Sequence, residues 1–200
     1  MTQPLHYLPE TPSQTAGPYV HIGLAPQAAG LEATVAPLGL VIAGPDTPGA
    51  RIRVEGRVID GLGAVLKDVL IEVWQADSAG RHADGRDPRV SGDFKGWGRV
   101  VPDFETGIFA FETIKPGPTA SHGGRTQAPH LSLWIVARGI NIGLQTRMYF
   151  PDEDNAADPV LNRIEHVERR ATLIAAADGP GRYRFDIRLQ GADETVFLDI

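Results

Sequence analysis

The chain of 200 residues is predicted to be mainly β, a β-sandwich of short antiparallel strands with long loops, an extended N-terminal arm and one or two short helices. Three observations predict this class. Apolar residues alternate with polar ones in several short runs. The 23 glycines and 16 prolines punctuate those runs as turns do. Only one stretch has helical spacing. A hydrophobic content of 42% suffices for the core of one domain.

The predicted strands follow from period-two patterns. Residues 51–59 place apolar side chains on one face and charged ones on the other, as a half-buried strand does. Residues 60–63 (DGLG) have hairpin composition, and the Val69–Trp74 run that follows is apolar enough to lie inside a sandwich. Further strands are predicted at residues 108–114, 130–137, 183–189 and 195–200.

A helix and an arm complete the expected elements. Residues 159–176 carry Val160, Ile164 and Val167 at helical spacing and predict a helix. Residues 1–18 contain four prolines, which disfavour helix and favour an extended arm. This arm is either a frayed terminus or a segment that is anchored at its base and reaches a partner. We expect residues 19–200 to form a single domain.

Composition excludes several classes of function. Without cysteine the chain has no disulfide, zinc thiolate site, iron–sulfur cluster or cysteine nucleophile, and it fits the cytoplasm. Its formal charge of −6, with both signs interspersed, gives no basic stripe for nucleic acid. It has neither a secretion signal at its start nor an apolar run of the ~20 residues that a membrane span needs.

Two places in the sequence could carry chemistry. In the predicted strand from His130, a period of two puts His130 and Ser132 on one face, where a histidine at both positions would grip a metal. A lone strand histidine is more often structural, and a neutral serine hydroxyl is a poor metal ligand. Arg138 follows an apolar run at a strand end, where its planar fork could bind a carboxylate or form an ordinary ion pair.

Charged pairs elsewhere carry no catalytic signature. Residues 152–154 (DED) lack the spaced ligands and the turn glycine of a calcium loop and are interpreted as a solvated acidic turn. Arg169 and Arg170, near the end of the predicted helix, are expected to face water.

The chain resembles the intradiol ring-cleaving dioxygenases over nearly its whole length. The segments that carry the resemblance are residues 10–24 (ETPSQTAGPYVHIGL), 72–77 (EVWQAD), 114–117 (IKPG), 128–130 (APH), 137–142 (ARGINI) and 183–191 (YRFDIRLQG). Several long motifs in the family's order make this resemblance specific.

The resemblance implies cleavage of 3,4-dihydroxybenzoate by O2 to 3-carboxy-cis,cis-muconate at a ferric ion held by two tyrosines and two histidines. This chain has Thr119 where one tyrosine is expected and His130-Leu131-Ser132 in place of His-x-His, and it has no tyrosine at all between Tyr19 and Tyr149. The resemblance is therefore to an alpha-type chain that binds no metal itself and has no catalytic residue.

The implied partner is an iron-bearing beta chain of similar fold, which holds the Fe3+ in a large hetero-oligomer of alpha–beta pairs. By resemblance, the arm of the present chain covers the partner's iron site, and the implied substrate-binding residues are Thr15, Gly17, Pro18, Tyr19 and Arg138. Two alternatives stay open. The chain could act alone as a dioxygenase with altered ligands, or it could be a non-catalytic β-sandwich binding module for a small aromatic or carbohydrate ligand.

Overall fold

The computed structural model describes residues 9–17, 19–32 and 38–199. These residues form thirteen short strands and few helical turns, so the predicted fold class is confirmed. The strands are β1 (Arg51–Gly56), β2 (Val58–Ile59), β3 (Val65–Leu66), β4 (Val69–Trp74), β5 (Trp97–Val100), β6 (Phe109–Ile114), β7 (Thr119–Ala120), β8 (Thr126–Gln127), β9 (His130–Ala137), β10 (Leu144–Tyr149), β11 (Ala176–Ala177), β12 (Arg182–Arg184) and β13 (Ile187–Arg188). The helical segments are α1 (Val20–Leu24) and the 3-10 turns His122–Gly124, Leu161–Arg163 and Val167–Leu173.

Two four-stranded sheets enclose one core. The first has the strand order β11-β12-β1-β6 and the second β10-β9-β4-β5. Alternate side chains of both sheets meet in a single apolar cluster, to which β1 contributes Val54, β6 Phe111, β4 Ile71 and β9 Leu133. Burial of this apolar area is the main source of the fold's stability. Strands β4 and β9 have the bounds that the sequence pattern predicts.

The strand predicted over residues 51–59 is divided between two sheets. Strand β1 belongs to the first sheet, whereas β2 pairs with β3 and β13 in a three-stranded sheet. The Arg57 N–H donates to the Asp186 side chain at 3.1 Å, so this N–H is not part of the hydrogen-bond ladder between strands. The predicted strand 183–189 is divided in the same way, because β12 and β13 pair in parallel with β1 and β2. The DGLG hairpin is confirmed and joins β2 to β3.

The helix predicted over residues 159–176 is wrong. The segment forms two 3-10 turns and then enters β11. Its break falls at Ile164, whose backbone is extended (φ −73°, ψ 111°). The Ile164 carbonyl accepts a hydrogen bond from the Arg170 guanidinium at 3.1 Å, so a side chain takes the place of the backbone donor that a continuous helix would supply.

The closing strand predicted at residues 195–200 is also wrong over residues 195–199, and Ile200 lies outside the described residues. The segment makes isolated backbone bonds, such as that from the Leu198 N–H to the Gln145 carbonyl at 2.8 Å, and side-chain hydroxyls bind the backbone of Val196. The Val196 N–H donates to Thr172 Oγ1 at 3.2 Å, and its carbonyl accepts from Thr146 Oγ1 at 2.8 Å.

The described part of the N-terminal arm, residues 9–17, has no regular secondary structure, and residues 1–8 and Pro18 lie outside the described residues. The boundary between arm and domain stays a prediction. No helix in the described ranges is long and apolar enough to cross a membrane.

Candidate functional site

The outer face of the second sheet carries the residues that the sequence singles out. Inward residues of β9 are buried in the core, whereas His130, Ser132 and Trp134 lie on the opposite face. The register between β9 and β10 places a residue of β10 directly opposite each of the first two of these side chains. Tyr149 is opposite His130, and Arg147 is opposite Ser132. We call this surface the outer face.

His130 is a buried, neutral residue of this face. Its Nδ1 lies 2.8 Å from the Ala128 carbonyl oxygen, and its ring lies 5.6 Å from the ring of Tyr149. Burial, together with the charge of Arg147, lowers the pKa of His130 from 6.5 to about 4. This hydrogen bond supports the structural role that is expected of a single histidine in a strand.

Arg147 brings a positive charge to the same place. Its Nη1 donates to Gln127 Oε1 at 2.6 Å and to the Tyr149 hydroxyl at 3.3 Å, while its Nε is buried without an acceptor in the described structure. Asp158 is the nearby acid, but its carboxylate already accepts four hydrogen bonds. The donors are the Tyr149 hydroxyl and the backbone N–H groups of Ala128, Val160 and Leu161.

Thr119 is linked to this cluster through the β7–β8 pair. It lies opposite Gln127, so the two side chains share a face. The threonine is buried, and among the described residues its hydroxyl has no hydrogen-bond partner. Ser132 is thus linked to Arg147 by register, Thr119 through Gln127, and His130 through its neighbour Tyr149.

The arm is tied to the turn that follows β9. The Thr15 hydroxyl accepts a hydrogen bond from the Gly139 N–H at 2.6 Å, and it lies within donating distance of the Ala137 carbonyl at 3.3 Å. This turn is closed by a bond from the Ile140 N–H to the Ala137 carbonyl at 3.1 Å, and Gly139 adopts the left-handed conformation (φ 91°) that its third position requires. Thr15 therefore contacts both neighbours of Arg138.

Arg138 is exposed and ion-paired. Its guanidinium lies 2.8 Å from the Asp68 carboxylate, yet the arginine side chain is still 69% exposed. Of the other predicted substrate residues, Tyr19 is exposed at the start of α1, and the Gly17 carbonyl accepts a hydrogen bond from the Val20 N–H. Pro18 lies outside the described residues. The structure thus brings Thr15 and Arg138 together and shows no contact between this pair and Tyr19.

Three residues of the site are not predicted by the sequence patterns. Arg147, Gln127 and Asp158 carry no motif of their own, and pairing between β9 and β10 was needed to place Arg147 beside Ser132. The signal that could have found Arg147 is the alternation of Leu144, Thr146 and Met148 with polar residues, which puts Arg147 on the outward side of the strand.

The other charged pairs are structural. Asp152 and Glu153 of the acidic turn both bind Lys115, at 2.8 and 2.6 Å, so this turn is more than a solvated loop. Arg169 pairs with Glu194 at 3.1 Å rather than facing only water.

Comparison with known proteins places the fold and site in a family. A family model described as Dioxygenase matches residues 32–191, and the chain belongs to this family, which includes the intradiol ring-cleavage enzymes. The chain is 48% identical over 201 residues to the protocatechuate 3,4-dioxygenase alpha chain of Pseudomonas putida, covering 98% of this chain and 99% of that one. It is 36% identical to the beta chain of Burkholderia cepacia over 159 residues, covering 74% and 67% of the two chains.

Solved structures agree on the fold. An intradiol ring-cleavage dioxygenase from Tetranychus urticae superposes with a TM-score of 0.58 over 77% of this chain and 88% of that one, at 17% identity. The resemblance stated from the motifs is confirmed at the level of the family.

Intradiol dioxygenases use iron, and the outer face does not fit a ferric ion. In the part of the chain that the structure describes, no group of three or more histidine, aspartate or glutamate side chains converges as metal ligands do. The neutral hydroxyls of Thr119 and Ser132 are poor donors for a hard trivalent cation. The guanidinium of Arg147 adds repulsion at the same place.

Proposed function

We propose that this chain is the alpha subunit of a ferric intradiol dioxygenase that cleaves 3,4-dihydroxybenzoate with O2 to 3-carboxy-cis,cis-muconate. The observation that carries the proposal is the 48% identity to an alpha chain of protocatechuate 3,4-dioxygenase over nearly the whole length of both proteins. Its partner is an iron-bearing beta chain, and alpha–beta pairs assemble into a large hetero-oligomer, which acts in the cytoplasm.

In this proposal the beta chain holds the Fe3+ and the present chain holds none. The donor chemistry of Thr119, His130 and Ser132 supports this division, as does the charge of Arg147 beside them. The ferric ion of the partner supplies the Lewis acidity for ring opening. The present chain accordingly contributes no catalytic residue.

The contribution of the present chain is to shape the partner's substrate site. The hydrogen bonds of Thr15 support this role, because they fix the arm to the turn that carries Arg138. Gly17 has no side chain, and no atom of the described residues lies within 4 Å of the place where one would begin, so a substrate could approach its backbone closely. Tyr19 and Pro18 belong to the same proposed surface, on the resemblance alone.

Arg138 would supply the charge that attracts the substrate's carboxylate. Its guanidinium is mostly exposed, and the pair with Asp68 lies at the surface, where ion pairs are worth only about 0 to 1 kcal/mol. A bidentate arginine–carboxylate contact with the substrate can therefore compete with Asp68.

Co-expression with the iron-bearing beta chain tests the proposal. The two chains should purify together and consume O2 with 3,4-dihydroxybenzoate, whereas the present chain expressed alone should be inactive. Deletion of residues 1–18 from the co-expressed complex should weaken substrate binding or slow turnover. Activity of the isolated chain, or failure of the two chains to associate, would refute the proposed role.

A further inference from the structure

The segment from Thr15 to Leu24 is attached to the rest of the chain by hydrogen bonds at both of its ends. In the described parts of residues 9–32, only these two residues form hydrogen bonds with residues beyond 32. Thr15 is bound at the turn after β9. The Leu24 carbonyl, at the end of α1, accepts a hydrogen bond from Arg99 Nη1 at 3.0 Å. We propose that Arg99 is a positioning residue, which fixes this segment from its C-terminal side.

The inference rests on the proposed function, in which Gly17 and Tyr19 belong to the substrate-binding surface. Both residues lie between the two attachment points. A segment that is fixed at one end alone must be ordered when a ligand binds, and this ordering costs binding free energy. A second attachment removes part of that cost before the substrate arrives.

Helix α1 depends on contacts with the rest of the chain. It has only five residues, and isolated helices of fewer than about 12 residues are marginal in water. Carbonyls at the C-terminal end of a helix lack intrahelical donors, and the guanidinium of Arg99 supplies a donor to one of them, that of Leu24. His21 provides a second contact, because it is buried and its ring lies 5.3 Å from the ring of Phe104.

Arg99 is itself held on several sides. It lies on β5 directly opposite Glu72, whose Oε1 accepts hydrogen bonds from Arg99 Nε at 3.1 Å and Nη2 at 2.8 Å. Glu72 Oε2 accepts from Trp97 Nε1 at 3.3 Å, and the guanidinium lies 5.2 Å from the Trp97 ring centroid. Both side chains of the ion pair are only 16% exposed, so solvent and salt screen it less than a surface pair. A donor held in this way can fix the position of its acceptor, the Leu24 carbonyl.

The geometry requires an arginine. Nε and Nη2 are bound to Glu72, and Nη1 is the remaining guanidinium nitrogen, which donates to Leu24. A lysine has a single ammonium group on a flexible stem and does not present donors in a planar fork. It would stay beside the carboxylate and leave the Leu24 carbonyl without its donor, so Arg99→Lys separates the attachment of α1 from the charge of the pair.

Hydrogen exchange of the co-expressed complex tests the attachment. In Arg99→Lys the amides of Gly23 and Ala25, which bond within α1, should exchange about fivefold faster, as expected for the loss of one hydrogen bond of ordinary strength. Arg169→Lys is the matched control, because Arg169 also binds a glutamate and a backbone carbonyl, both of Glu194, at 3.1 and 3.5 Å. In the control the α1 amides should exchange as in the wild type.

Steady-state O2 uptake by the same complexes tests the positioning role. Arg99→Lys should raise the KM for 3,4-dihydroxybenzoate about threefold to fivefold and change kcat less than twofold, because a loosened segment weakens binding without altering the iron. Arg169→Lys should change neither value more than twofold. If Arg99→Lys does not fold, Glu72→Gln removes the charge that holds Arg99, and we then expect at least twofold faster exchange in α1 and a higher KM.

Two outcomes would overturn the inference. One is equal exchange of the α1 amides in Arg99→Lys and Arg169→Lys, which would show that Arg99 does not hold α1. The other is faster exchange in Arg99→Lys with an unchanged KM, which would show that the attachment has no bearing on the substrate. A wild-type complex that is inactive toward 3,4-dihydroxybenzoate would count against the proposed function, and the exchange rates would still decide whether Arg99 holds α1.

Discussion

Arg147 lies directly opposite Ser132 on the paired strands β10 and β9, with both side chains on the outer face of the second sheet. The guanidinium therefore lies beside Ser132, the position at which a His-x-His motif would have its second histidine. Its charge also contributes to the low pKa of His130. Two features of the outer face would therefore disfavour a bound metal ion, the neutral hydroxyls of Thr119 and Ser132 and the fixed cation of Arg147.

The first prediction concerns repair of the histidine motif. Ser132→His alone should bind Ni2+ weakly, because Arg147 repels a cation held at positions 130 and 132. The double variant Ser132→His with Arg147→Gln should bind Ni2+ at least tenfold more tightly in a calorimetric titration. Equal affinities would show that the arginine has no influence, and Ser132→His with Arg184→Gln provides the control for loss of a positive charge.

The second prediction concerns the attachment of the arm. Thr15→Val keeps the shape of the side chain but removes the acceptor for the Gly139 N–H, a loss worth roughly 1 kcal/mol. Limited proteolysis within residues 9–17 should become about fivefold faster. Thr11→Val is the control, because Thr11 is exposed in the same arm. Identical cleavage rates in both variants would mean that the Thr15 bond does not hold the arm.

The third prediction concerns Arg138. In the co-expressed complex, Arg138→Ala should raise the KM for 3,4-dihydroxybenzoate about fivefold to tenfold and change kcat less than twofold, as expected for uniform binding of the carboxylate. Asp68→Asn should lower KM by up to about fivefold, because it frees the guanidinium. Steady-state O2 uptake measures both. A KM unaffected by Arg138→Ala would remove Arg138 from the substrate site.

The fourth prediction concerns acid stability. The folded pKa of His130, about 4, is below the ordinary 6.5, so between these values the unfolded chain binds more protons. Stability from this residue is complete above pH 6.5 and is lost as pH falls toward 4. Between pH 7.5 and pH 5 the free energy of unfolding should fall by about 2 kcal/mol more in the wild type than in His130→Gln.

Urea unfolding of both proteins at the two pH values measures this difference. Arg147→Gln should reduce it, because the arginine contributes to the lowered pKa. Equal acid sensitivity of the wild type and His130→Gln would contradict the low pKa of His130.

Local patterns predicted the strands that lie within one sheet. The bounds of β4 and β9 follow from their residue patterns, because each of these strands stays within the second sheet over its whole length. The strand over residues 51–59 was divided at Gly56, where an added side chain would collide with the Phe185 carbonyl. This close contact joins two segments that are distant in sequence, so no local pattern predicts it. Gly56 is its one sign in the local sequence.

The residues of the candidate site could likewise be predicted only in part from the sequence. The pattern placed His130 and Ser132 on one face, and the family motifs pointed to Thr119 and Arg138. The link from Thr15 to Gly139 and the position of Arg147 depend on contacts between separate segments, which spacing cannot reveal. Side-chain bonds accompany both failed elements, since Arg170 donates to the Ile164 carbonyl and the hydroxyls of Thr172 and Thr146 bond to the backbone of Val196.

We propose that this chain serves an iron site that it does not itself contain. The most direct test is to separate the two chains of the purified complex and measure iron in each by mass spectrometry, with the visible tyrosinate-to-iron absorption recorded on the present chain expressed alone. We expect iron only in the partner and a colourless present chain. One iron per copy of the present chain, with a tyrosinate band, would contradict the account.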